Sequence, residues 1–326
     1  MTSSQGRLQS RPENSAKTAV VGAGAVGGYF GGMLARAGAP VTMIGRPAFV
    51  EAVTKNGLLL DTLSFKETVR VDASSELSAV RGAEIVLVCV KTVDTVPTAR
   101  ALKPLLAPGA IVVSMQNGVD NAEQMCTAAG VDALSAVVYV AASVPEPGHI
   151  KHVGRGDLVV GPRNARTERV AKLFDAAGVP CRITENIEGE LWTKLVWNCA
   201  LNAISALGRS KYGQISANED ARKVVQETVH EVFAVAQAAH IQLPGLENAE
   251  AAFAGAMKIA SQMSGALSST GQDLHRGKRT EINSLNGYIA RRGAQLGVPT
   301  PVNHALYALV KLAESQGQAG STAQHT

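Results

Sequence analysis

The stretch Lys17-Thr-Ala-Val-Val-Gly22-Ala-Gly24-Ala-Val-Gly27 limits the possible folds more than any other part of the chain. A short apolar run ends at a glycine, and a G-x-G-x-x-G string follows without a gap. Such a run predicts a strand buried on both faces. Residues 27–37 then have helical character and stop at Gly38. Val41-Thr-Met-Ile44 predicts the next strand, and Glu84–Val90, Ala110–Ser114 and Leu134–Val140 predict more. Strands separated by helices at this spacing predict a parallel sheet with right-handed crossovers.

The glycine turn has a physical logic. Gly22 permits the tight turn, Gly24 lets backbone approach a pyrophosphate, and Gly27 lets helix and strand lie close. The helix start adds free N–H donors and a partial positive charge. The string alone is common, but a strand before it and a helix after it make a dinucleotide seat. The candidate contacts are Gly22, Ala23, Gly24, Ala25, Val26 and Gly27. An NAD site wants an acid at the end of the second strand. Here that strand ends Ile44-Gly45-Arg46-Pro47, with no carboxylate before Glu51. Arg46 suits a 2′-phosphate, so NADPH/NADP is the expected cofactor. Lys91 and Asn117-Gly118 follow predicted strands on the side where open α/β sheets bind ligands.

Beyond Ala142 the pattern changes. Short strands at His149–Val153 and Asp157–Val160 are expected at the sheet's edge, followed by a helix over Asn164–Ala177 and a strand over Cys181–Thr184. After that only helical stretches appear, near 187–207, 219–240, 246–264, 280–296 and 302–315. The expected organisation is α/β: a Rossmann-type doubly wound domain over 17–184, then an all-helical domain over 185–316. Disordered polar tails are expected at 1–16 and 317–326.

Composition narrows the function. The 326 residues carry a net charge of only +4, with 4% aromatics, which does not favour a nucleic-acid module. No apolar run is long enough to span a membrane. Cys89, Cys126, Cys181 and Cys199 are dispersed, which fits a reducing, cytoplasmic setting and offers no metal ligand set.

Glu188–Leu207 carries the chemistry. Its apolar residues surround most of the predicted helix, while Lys194, Asn198, Asn202 and Ser205 fall within roughly 80° of the helical wheel. A polar strip on a buried helix lines either an internal hydrogen-bond seam or the floor of a cleft. Two Asn in place of Glu, Lys and Arg favour the cleft. Reducing a ketone builds negative charge on oxygen, which needs a proton donor and fixed dipoles. A lysine ammonium, ordinarily titrating near ~10.4, supplies both.

The glycine turn, Arg46, Lys91, Asn117-Gly118, the block Glu190-Leu-Trp-Thr-Lys-Leu-Val-Trp-Asn198 and the block Thr280-Glu-Ile-Asn-Ser-Leu-Asn-Gly287 together resemble the ketopantoate reductase family over about residues 17 to 315. The resemblance implies NADPH-dependent reduction of 2-dehydropantoate to pantoate, toward pantothenate. It implies Lys194 as general acid and Glu281 as the carboxylate that binds the reacting hydroxyl and positions the lysine. It implies Asn117, Asn198, Asn202 and Ser269 as substrate contacts, and Lys91, Asn117, Ala142 and Glu281 as cofactor contacts. The implied substrate is an anionic 2-oxo acid. Where some members carry Asn, this chain has Tyr212 and Ala266. A related hydroxyacid dehydrogenase with another substrate and a non-catalytic NADP-binding sensor remain alternatives. The sequence leaves open whether the chain is a monomer or a homodimer.

Overall fold

The computed structural model describes residues 16–322. The chain forms two compact units. One holds the chain up to Gln116 together with Asn121–Glu185. The other holds Asn117–Asp120 together with the chain from Asn186 on.

The first unit is a ten-stranded mixed sheet with helices on both faces. In chain order its strands are β1 (Thr18–Val21), β2 (Val41–Ile44), β3 (Leu58–Asp61), β4 (Lys66–Val69), β5 (Asp72–Ser74), β6 (Ile85–Val88), β7 (Ile111–Ser114), β8 (Ala133–Ser143), β9 (His149–Gly161) and β10 (Cys181–Ile183). The order across the sheet is β4-β3-β9-β8-β7-β6-β1-β2-β5, with β10 paired to β9. From β8 to β5 every pairing is parallel, which is the doubly wound part. The helices are α1 (Ala25–Arg36), α2 (Pro47–Asn56), α3 (Thr95–Leu102), α4 (Asn121–Ala129) and α5 (Ala165–Ala176).

The central strands show why continuous apolar runs work here. Val20, Ile85, Leu87, Ile111 and Val113 point into a core shared with Phe30 and Leu34 of α1 and Phe174 of α5. Their neighbours Ala19, Val21, Val86, Val88 and Val112 point the other way, onto Ala99 and Leu102 of α3 and Met125 of α4. α5 starts with a reciprocal cap in which the Asn164 side chain accepts from Thr167 N and Asn164 N donates to Thr167 Oγ1.

Two features differ from the sequence reading. The two short strands expected at the edge are one strand, β9, which lies inside the sheet between β3 and β8. Gly154 and Gly156 look like breaks, but they accompany two irregularities in the β8–β9 register. An extra residue opposite a partner strand bends a strand without ending it. The stretch between α2 and β6 also holds β3, β4 and β5. The β3–β4 hairpin carries polar residues on its exposed side, so its apolar signal is weak.

The second unit is helical: α6 (Ile187–Leu207), α7 (Tyr212–Ala217), α8 (Glu219–Ala238), α9 (Ala249–Gln262), α10 (Ser269–His275), α11 (Asn286–Leu296) and α12 (Pro301–Thr322). α6 is its axis. Trp192, Leu195, Val196, Cys199, Ala200 and Leu201 are buried against α8, α9 and α11, and Ala203 against α12. Asn186 caps its start by accepting from Gly189 N at 2.9 Å. The carboxylate of Glu231 accepts from Val302 N and Asn303 N, both at 2.8 Å, and so satisfies the start of α12. α7 and α10 were not expected from sequence, and each is barely two turns long. Ala16, placed in the tail by the sequence reading, is buried, and the backbone of 317–322 continues α12. The rest of both expected tails, 1–15 and 323–326, lies outside the described residues. Among the described residues no helix is long and apolar enough to cross a membrane.

Candidate active site

In the first unit the glycine turn sits at the carboxyl end of β1. Gly22 N and Ala23 N both donate to Ile44 O at 3.0 Å, which ties the turn to the end of β2. Gly22 has φ +101°, and a β-carbon there would lie 2.7 Å from Val90 N. At Gly27 a β-carbon would lie 2.3 Å from Gly22 O. Both glycines are therefore required by close backbone approach. Gly24 differs, because a β-carbon there would meet nothing within 4 Å. The space over Gly24 is open, at the start of α1, where unpaired N–H groups and the helix dipole favour an anion. This cradle fits a dinucleotide pyrophosphate.

The other expected cofactor residues of this unit lie toward that end of the sheet, with Ala142 seven residues beyond the Ser135 that pairs with the end of β7. Arg46 is exposed and stands as the N-cap of α2, two residues past β2. Lys91 is half-buried after β6 and begins the single turn Thr92–Asp94. Ala142 lies within β8 opposite His152, beside one of the register irregularities. Gln116 was not singled out from sequence. It is buried, and its Nε2 donates to Val90 O at 3.0 Å and to Thr95 Oγ1 at 2.8 Å. It thus fixes the path of the chain just before Asn117. A buried amide directly after a strand was the available signal for it.

The second unit contains the candidate acid–base residues. Lys194, half-buried on α6, donates from Nζ to Asn117 Oδ1 at 2.9 Å. Asn117 donates from Nδ2 to Glu281 Oε2 at 2.8 Å. Ammonium, amide and carboxylate thus form one hydrogen-bonded series, with the amide using its acceptor toward the cation and its donor toward the anion. Gly118, with φ +93°, turns the chain directly after Asn117, and Val119 packs on the helical core.

The polar strip of α6 divides in two. Lys194 and Asn198, one turn apart, are half-buried. Asn202 and Ser205 are buried, and the Asn202 side-chain oxygen and the Ser205 hydroxyl are bonded within the unit. Tyr212 Oη donates to Asn202 Oδ1 at 2.9 Å, Ser268 Oγ donates to Asn202 O at 3.0 Å, and Ser205 Oγ donates to Ser210 O at 2.7 Å. A buried amide without a partner costs about 1–3 kcal/mol, and Tyr212 removes part of that cost for Asn202. Burial pushes the Tyr212 phenol well up, so it remains a donor. This half of the strip is the hydrogen-bond seam that the sequence left as an alternative. Ser269 is exposed at the first position of α10, while its neighbour Ser268 is the buried cap.

No thiol offers an alternative nucleophile in the buried regions. Burial pushes Cys89 and Cys181 up to about 12, and Cys199 well above its ordinary value. Among the described residues no group of three or more His, Cys, Asp or Glu is placed to hold a metal ion.

Known proteins resemble both units. The family model described as Ketopantoate reductase PanE/ApbA matches residues 18–165, and its C-terminal counterpart matches 186–314. A 2-dehydropantoate 2-reductase of Pyrococcus horikoshii is 32% identical over 92% of this chain and 98% of its own length. One from Halobacterium salinarum is 30% identical over 92% of this chain and its full length. A crystal structure of a PanE/ApbA family ketopantoate reductase from Ralstonia eutropha JMP134 superposes with a TM-score of 0.87 at 48% identity, covering 92% of this chain and 99% of that one. A D-mandelate dehydrogenase structure, at 21% identity and a TM-score of 0.85, shares the fold. With both parts of the chain matched, and with relatives aligned over nearly their whole length, this oxidoreductase belongs to the ketopantoate reductase family.

Proposed function

We propose that the chain reduces 2-dehydropantoate to pantoate with NADPH, and that Lys194 is the general acid. The observation that carries this reading is the series from Lys194 through Asn117 to Glu281. The names of the relatives supply the substrate.

When bound, NADPH supplies a hydride for the carbonyl carbon. The chain's own residues do the rest. Lys194 Nζ donates a proton to the carbonyl oxygen as negative charge builds there, so the alkoxide is never free. Asn117 holds the ammonium by its carbonyl oxygen, and Glu281 orients that amide from the other side. Glu281 also offers a carboxylate oxygen to the product hydroxyl. Asn198, four residues after Lys194, presents an amide on the same face of α6. Ser269 adds a hydroxyl for the substrate carboxylate. The backbone over Gly22–Gly27 seats the pyrophosphate, and Arg46 takes the 2′-phosphate, which gives NADPH its preference. Lys91 and Ala142 complete the cofactor contacts.

A second reading concerns the substrate. Tyr212 occupies the amide oxygen of Asn202, which favours a 2-oxo acid that makes fewer polar contacts than 2-dehydropantoate. Steady-state NADPH oxidation by the full chain, with 2-dehydropantoate and a series of branched and straight 2-oxo acids, separates the two. The proposal expects the highest kcat/KM with 2-dehydropantoate and pantoate as the product by mass spectrometry. A higher kcat/KM for another 2-oxo acid selects the second reading. Tight NADPH binding without turnover on any of them overturns both and leaves a sensor.

A further inference from the structure

We propose that Glu314, on α12, is a positioning residue that fixes the direction of the Glu281 carboxylate through Thr280. The proposal rests on the reading of Lys194, Asn117 and Glu281 as the acid–base series.

Glu314 is only 7% exposed. Its Oε1 accepts from Thr280 N at 2.7 Å and also from Thr280 Oγ1. Its other oxygen pairs with Lys311 on the same helix. Thr280 is itself buried, and its Oγ1 accepts from Ile282 N at 3.3 Å. The hydroxyl therefore donates to Glu314 and accepts from the residue after Glu281. One carboxylate thus governs the backbone N–H groups on both sides of Glu281, directly at Thr280 and through the hydroxyl at Ile282. Glu281 O accepts from Ser284 N at 2.9 Å, which closes the turn beyond it.

Burying a carboxylate is costly, and well-packed apolar residues are often as stabilising as a buried ion pair. Stability alone therefore gives little reason for an acid here. Geometry gives a better one. Glu281 lies outside regular α-helix, at the head of the single turn Ile282–Ser284, where backbone hydrogen bonding alone leaves its direction loosely determined. Its Oε2 must stay 2.8 Å from Asn117 Nδ2 for the amide to keep its oxygen on Lys194. Charge-assisted bonds from a buried carboxylate hold such a point more tightly than neutral ones. Misplacing a catalytic group by about 1 Å can cost on the order of a hundredfold in rate.

The test compares Thr280→Val, Thr280→Ser, Glu314→Gln and Lys194→Ala in the full chain, with kcat and KM measured against pH using 2-dehydropantoate and NADPH. Thermal melts verify folding. Thr280→Val keeps the backbone donor but removes the hydroxyl. It is expected to lower kcat about tenfold with KM for NADPH within about twofold, and to move the alkaline limb of the kcat profile to lower pH as Lys194 loses its ordered partner. Thr280→Ser, which retains the hydroxyl, is expected to restore most of the rate and the profile. A folded Thr280→Val with wild-type kcat and profile, or a Thr280→Ser as slow as Thr280→Val, overturns the proposal. If Thr280→Val does not fold, Glu314→Gln decides: its alkaline limb must also move down, and an unmoved limb overturns the proposal. An inactive Lys194→Ala beside Thr280→Val and Glu314→Gln proteins with wild-type kcat and profile removes this inference alone. A Lys194→Ala with wild-type turnover removes the underlying reading of the site, and this inference with it.

Discussion

Asn117 donates its side-chain amide to Glu281 at 2.8 Å although 164 residues separate the two in sequence. The same amide accepts from Lys194 with its oxygen. Asn117→Asp keeps the shape and removes the donor, leaving two carboxyl groups facing each other. We expect kcat to fall by about a hundredfold, within the range for disabled acid–base catalysis. Lys194→Ala is expected to fall by on the order of a thousandfold, with the Kd for NADPH little changed. Steady-state kinetics and cofactor titration measure both, and wild-type turnover in either variant rejects the assignment.

Arg46 is exposed at the start of α2 with its guanidinium directed by no ion pair among the described residues. Arg46→Ala is expected to raise KM for NADPH about tenfold, the equivalent of one lost charged hydrogen bond. KM for NADH should stay within about twofold. An equal rise for both dinucleotides removes Arg46 from the 2′-phosphate.

The two inner glycines of the turn should respond differently. A β-carbon at Gly24 meets nothing within 4 Å and serine is a favoured helix cap, so Gly24→Ser should melt like the wild type. It should still lose about tenfold or more in NADPH affinity, because its hydroxymethyl group enters the space needed by the pyrophosphate. Gly27→Ala should instead overpack against Gly22 O, cost about 1–3 kcal/mol of stability and melt at a lower temperature. Melting curves and fluorescence titration distinguish them, and a Gly24→Ser with unchanged NADPH affinity would count against the seat.

Glu314 should make the helical unit sensitive to acid. Burial raises its pKa, but bonds from Lys311 and Thr280 outweigh burial and hold it below its ordinary value of 4.5. A carboxylate held down on folding stabilises the protein above its unfolded pKa, and that stability is lost as pH falls through the folded value. Between neutral pH and about 5 its contribution should therefore be constant. Below 4.5 it should decline. Urea unfolding against pH should show a shallower acid loss in Glu314→Gln than in the wild type, and identical slopes would contradict the assignment.

Tyr212→Phe leaves the oxygen of Asn202 buried without its donor. The expected cost is about 1–3 kcal/mol in unfolding free energy. A variant as stable as the wild type would mean that Asn202 finds another partner by rotating.

Much of this architecture could be read from the residues. The turn at Gly22–Gly27 was legible because its chemistry is local: a strand, three glycines at fixed offsets and a helix. α6 was legible end to end because Asn186 caps it and its apolar surface continues to Leu207. β9 was misread because Gly154 and Gly156 carry the usual signal of a turn, whereas here they lie at two bulges within one strand, where the register against β8 skips Gly156 and Val153. The seam at Asn202 was ambiguous because the wheel aligns Lys194 with Ser205 but says nothing of Tyr212, which returns from α7 to fill one end of the strip. Thr280 and Glu314 were invisible because their bond joins residues 34 positions apart.

Part of the face that α1 turns to the sheet, beside Phe30 and Leu34, is made of hydrogen atoms at Gly27, Gly28, Gly31 and Gly32. A methyl group at any of them would intrude on Gly22 O, Ile150, Val20 or Leu60. The proposed anion seat at the head of this helix is consequently built from main chain and vacancy. Trimming side chains around it leaves its donors untouched, so deletion scanning will report the region as dispensable. Only added bulk can disable it, and inherited or engineered loss of cofactor binding in this helix should arise through gain of volume.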